Sequence, residues 1–91
     1  MNKLKLVYNK QKNIIKFFSP ETNIWGIWKP DHFVTDQANY WDEESCKIIY
    51  NILKKIIDNP AKAILYVHNE RRFIRGLAGE ILKYGLEVTY E

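Results

Sequence analysis

Cysteine is almost missing from this 91-residue chain: Cys46 stands alone. One cysteine excludes an internal disulfide and any multi-cysteine zinc site, so neither staples the fold. Long apolar stretches are missing too. The longest run, Ala63 to Val67, is far too short to span a bilayer, and Met1-Asn2-Lys3-Leu4-Lys5 offers no apolar core for a signal peptide. The expected location is therefore cytoplasmic, with no membrane partner. Arginine is scarce as well, and its three copies sit together at Arg71, Arg72 and Arg75, while the lysines are spread along the chain. No glycine-rich phosphate loop, Walker pattern or complete acid–base, nucleophile or metal set is visible, so no cofactor and no enzymatic activity are expected.

What is present suits one small globular domain spanning residues 1–91. The hydrophobic fraction of 46% and aromatic fraction of 14% exceed what a disordered chain carries. A net charge of +3 permits a nucleic acid or an acidic protein as partner but is too small for strong non-specific binding to DNA. Heavy use of Ile, Lys, Asn and Tyr fits an AT-rich source such as a viral or mobile-element genome.

Local patterning predicts seven elements. Lys3 to Tyr8 alternates polar and apolar residues like a half-buried strand. Asn13 to Phe18 is β-branched and aromatic, and Ile24 to Trp28 makes a third strand ended by Pro30. Short turns between the three predict an antiparallel meander. Residues 29–41 show no period and are expected to form a long loop. Asp42 is a helix cap, Glu43 and Glu44 suit the first turn, and Asn59-Pro60 stops the helix after an apolar stripe that includes Cys46. That placement makes Cys46 a buried thiol rather than a nucleophile. The continuous apolar run Ala63–Val67 reads as a strand buried on both faces, Glu70 to Tyr84 as a second helix ended by Gly85, and Leu86 to Tyr90 as a last strand. The expected class is α/β (α+β): one mixed five-stranded sheet in the order βββαβαβ, with a parallel strand–helix–strand unit at the end.

This order is similar to a stripped-down ribonuclease H-like domain. In that family the catalytic acids come from the first strand, the first helix and the end of the fourth strand. Here Lys3 to Tyr8 has no acid and the run Ala63–Val67 is followed by His68-Asn69. The resemblance thus implies the topology without the metal-dependent nuclease chemistry.

Three surfaces are candidates for binding. On a helical wheel of residues 70–84, Phe73, Ile74, Leu77, Ala78, Ile81 and Tyr84 form the core stripe. Arg72, Arg75, Gly76, Gly79 and Lys83 share the opposite face, beside Arg71. Glycine in a helix interior costs roughly 1 kcal/mol against alanine, and a surface without side chains lets a phosphate backbone or a partner helix approach. Arginine forks suit phosphate or carboxylate. A solvated charged face is the plainer explanation, and self-association through Gly76 and Gly79 is a third.

His68 and Asn69, expected at a strand end, make a second candidate, against the plainer role of helix cap. The third is aromatic: Trp25, Trp28 and Trp41 flank or occupy the long connection, next to Lys29. They could stack on unpaired bases or anchor a protein interface. Pleating sets Trp25 and Trp28 on opposite faces, so one belongs to the core and the other lies exposed or under the loop.

Two functions follow as expectations. One is a nucleic-acid-binding accessory or regulatory protein. The other is a protein-interaction module, an inhibitor or accessory subunit that clamps an acidic partner.

Overall fold

The computed structural model describes residues 2–35 and 42–91; the side chains at 24, 35 and 71–75 lie outside the description. Five strands form one mixed sheet: β1 (Leu4–Asn9), β2 (Ile14–Ser19), β3 (Ile24–Lys29), β4 (His32–Thr35) and β5 (Leu86–Tyr90). Their spatial order is β4-β3-β2-β1-β5, with β1 parallel to β5 and the other pairs antiparallel. Three α-helices, α1 (Glu43–Asp58), α2 (Ala63–Asn69) and α3 (Arg71–Tyr84), make this an α+β fold.

The meander is tight because its turns suit it. Asn13 and Asn23 take positive φ angles of 54° and 57°, a region asparagine tolerates better than most residues. Pro30 and Asp31 alone join β3 to β4, pairing Lys29 with His32. The segment expected as a long loop therefore opens with a strand. Its remainder, residues 36–41 with Trp41 among them, falls outside the described residues.

Helix α1 starts where Ser45 N–H donates to Asp42 Oδ1 at 2.7 Å, a bond that holds the Asp42 carboxyl below its ordinary pKa. It ends at Asn59, and Pro60 opens a short 3-10 turn, Pro60–Lys62. Residues 63–67, expected as a buried strand, are helical instead. Ala63 and Val67, one helical turn apart, are buried while Leu65 between them is 55% exposed. That spacing belongs to a helix with one inward edge. The ribonuclease H-like order needed a fourth strand there, so the resemblance does not extend to it. The parallel partner of β5 is β1, not residues 63–67. Gly85, at φ 84°, turns the chain from α3 into β5, and its carbonyl accepts from Leu4 N–H at 3.0 Å.

All core packing lies on one side of the sheet. Leu4, Leu6, Tyr8, Ile15 and Trp28 project from the strands against Cys46, Ile49, Leu53, Ile56 and Val67 of the helices. Burial raises the pKa of the Cys46 thiol, as expected for a packed rather than reactive cysteine. Ser19, at the rim of this face, donates to Glu80 Oε1 and ties β2 to α3.

Candidate docking surface on the open sheet face

With the helices on one side, the outward residues of β1–β5 form a second face that they do not cover. The strand registers arrange it as three rows. Glu87, Lys5, Phe18 and Trp25 form the first, running from β5 to β3. Thr89, Val7, Lys16, Ile27 and Val34 form the second and reach β4. Continuing the registers, Glu91, Asn9, Ile14, Lys29 and His32 form the third.

A solvated sheet face normally alternates to polar residues. This one does not: Val7, Trp25, Ile27 and Val34, with Lys16, Gly26 and Glu91, line a groove of about 610 Å3. Trp25 is 46% exposed and Val34 39%. Phe18 is buried beneath Trp25, ring centroids 5.1 Å apart, with Lys5 Nζ 5.9 Å from its centroid. The tryptophan thus packs on Phe18 while nearly half of it stays exposed.

Charges on this face are matched within the chain. Lys16 Nζ pairs with Glu91 Oε1 at 2.9 Å, reaching from β2 across β1. Lys5 sits beside Glu87 in register. At the far edge His32 Nδ1 lies 2.6 Å from Asp31 Oδ1, an interaction that lowers the Asp31 pKa. The face therefore has an apolar centre and a charged rim, with Glu87 and Glu91 on the β5 side and Lys29 and His32 on the other.

The residues singled out from sequence fall elsewhere. Trp28 is in the core, its ring 4.3 Å from that of Phe33, so Trp25 is the member of the pair left facing solvent. His68 and Asn69 end α2 and are exposed; they do not sit at the end of a strand, and α3 has no side-chain cap from Asn69. Gly76 and Gly79 do lie on open surface, for a Cβ at either would meet nothing within 4 Å. Lys83 is exposed, with Nζ 5.2 Å from the Tyr84 ring centroid. Arg71, Arg72 and Arg75 belong to the first five residues of α3, and their side chains lie outside the described residues. Lys54, on α1, donates from Nζ to Tyr8 Oη at 3.0 Å and lies over that ring.

Sequence reasoning placed Trp25 and Ile27 on one side of the third strand but missed Val7, Lys16 and Val34 as their companions. The available signal was Val7, an apolar residue at an outward position of β1, beside the apolar outward pair of β3.

Among the described residues, no three of His, Cys, Asp and Glu gather where they could hold a metal ion, and no helix is long and apolar enough to cross a membrane. Among the described residues, the fold thus defines a two-layer α+β domain with one sheet face that no helix covers. The chain matches no protein-family model, no curated protein and no solved structure.

Proposed function

We propose that this chain is a small non-enzymatic binding module that docks a protein partner through the open face of its sheet. One observation carries the reading: an exposed Trp25 borders an apolar groove whose one lysine, Lys16, is paired with the chain's own Glu91. Protein interfaces combine an apolar centre with a polar rim, and tryptophan is among their commonest energetic anchors. A polyanion gains little from lysines that are already paired. The test is affinity capture from the native cell with nuclease-treated lysate, using wild type and Trp25→Glu as baits. A partner held by the first and released by the second supports the reading; equal capture by both refutes it.

A second reading has its own support. All three arginines lie in the first five residues of α3, the helix whose Gly76 and Gly79 are open. That combination suits the phosphates of a nucleic acid, as an accessory or regulatory protein would use it. Fluorescence anisotropy against single-stranded and duplex nucleic acids, titrated with salt, decides it. Micromolar binding that falls steeply with salt and disappears in Arg72→Glu/Arg75→Glu, with the fold intact, supports this reading; no binding at low salt removes it.

A further inference from the structure

We propose that the partner seated on the open sheet face is a second copy of this chain, the two sheets stacking about a two-fold axis that runs parallel to the strands along β2. The proposal rests on the docking role of that face and names its occupant. It differs from self-association through Gly76 and Gly79, which would leave the groove empty.

The argument is self-complementarity. β2 is the middle strand of the five, so an axis along it exchanges β1 with β3 and β5 with β4 while each row stays over its own row. Val7 then meets Ile27 of the second copy, and Thr89 meets Val34. The Lys5 ammonium comes over the second copy's Trp25 indole, a favourable cation–π arrangement. Glu91 faces the second copy's His32. The Glu91 carboxylate is thus placed against the edge that carries His32, with Lys29 on the neighbouring strand. On the axis the outward residues of β2, Phe18, Lys16 and Ile14, meet their own equivalents; Lys16 is the charged one, and each Lys16 is already paired with its own Glu91 at 2.9 Å.

The alternative axis, across the strands, fails on charge. It lays β5 on β5 and sets Glu87 against Glu91 of the other copy, which is repulsive. Face-to-face sheets in proteins keep their strands within about 30° of one another, and the axis along β2 allows that alignment. Five strands about 4.8 Å apart and roughly 17–20 Å long give a flat footprint of about 400–500 Å2. That is below the ~800 Å2 per partner of a standard stable interface, so the dimer is weak and concentration-dependent.

Sedimentation equilibrium from low micromolar to near-millimolar protein tests the proposal, with circular dichroism confirming that each variant is folded. Wild type is expected to shift from monomer to dimer across this range. Trp25→Glu, which alters an exposed side chain, weakens the dimer by about thirtyfold, as loss of an interface anchor does. With a short bis-maleimide, mixed Val7→Cys and Ile27→Cys chains cross-link to each other, whereas Val7→Cys alone, which the axis across the strands would set against itself, does not. A wild type that stays monomeric overturns the second-copy assignment and leaves the docking face to be judged by partner capture. A dimer that persists unchanged in Trp25→Glu overturns the assignment of the face itself. Cross-linking of Val7→Cys to itself in place of Ile27→Cys refutes the axis.

Discussion

Alanine at position 26 probes the β3–β4 hairpin where it is most tightly built. Gly26 lies on the helix-covered side of the sheet, and the ring of Phe33 from β4 rests across its bare Cα. A Cβ there would run into Phe33 Cε1 and Cζ, well inside van der Waals contact. Phe33 cannot retreat freely, because its centroid is 4.3 Å from that of Trp28 at an interplanar angle of 33°. Overpacking of this kind costs about 1–3 kcal/mol, and loss of a well-formed aromatic pair adds about 0.5–1.5 kcal/mol. Alanine's better backbone entropy in a strand returns about 0.5–1 kcal/mol. The expected net cost of Gly26→Ala is about 2–3 kcal/mol, which lowers Tm by roughly 10–20 °C in a domain of this size. Urea denaturation followed by circular dichroism measures it. Phe33→Ala alone is expected to cost about 2–3 kcal/mol, as removal of a half-buried aromatic ring does. In the double variant the new methyl occupies the vacated space, so its cost equals that of Phe33→Ala within about 0.5 kcal/mol. A silent Gly26→Ala, or a double variant whose costs simply add, would refute the reasoning.

Two further perturbations test the joints between the layers. Ser19→Ala removes the donor that satisfies Glu80 at the sheet–helix boundary and is expected to cost about 1–2 kcal/mol in thermal or urea unfolding, whereas Glu80→Gln keeps an acceptor for the hydroxyl and costs less. Asp42 has its pKa lowered in the folded state, first by the Ser45 backbone N–H, so its stabilisation is present above the unfolded carboxylate value and lost as pH falls through the folded one. Asp42→Ala should therefore melt below wild type at neutral pH, and the gap should close in acid; a gap independent of pH would remove the cap from the account.

The sequence was most informative where periodicity and punctuation agreed. In β1 to β3, alternation, β-branched residues and short asparagine-containing turns all point to a meander. In α1, Asp42 and Asn59-Pro60 mark both ends of one stripe. The run Ala63-Ile64-Leu65-Tyr66-Val67 misled because five apolar residues have no legible period and both faces of a buried strand look the same as a short helix. Pro60 at the start of a helical turn was the available clue, since proline suits the first helical position. β4 was missed because it is four residues long and follows a two-residue link. The site was half legible: Trp25 stood out as an aromatic, but its groove is assembled from β1, β2, β3 and β4 and requires their registers. Nothing local in the sequence says that the helices cover only one face.

The pairing of β1 with β5 sets the order in which this fold can be completed. Leu4 meets Leu86, so the neighbour of the first strand is drawn from the far end of the described chain. A contact spanning so much sequence carries a large loop-closure entropy and forms late. During synthesis the meander can pair within itself while the outer edge of β1 waits, its N–H and C=O groups open to any other strand. β5 is therefore a latch as well as a fifth strand. Mispairing during expression is expected to begin at that waiting edge, and the exposed carboxylates of Glu87, in β5, and Glu91, just after it, leave a charged border once it closes.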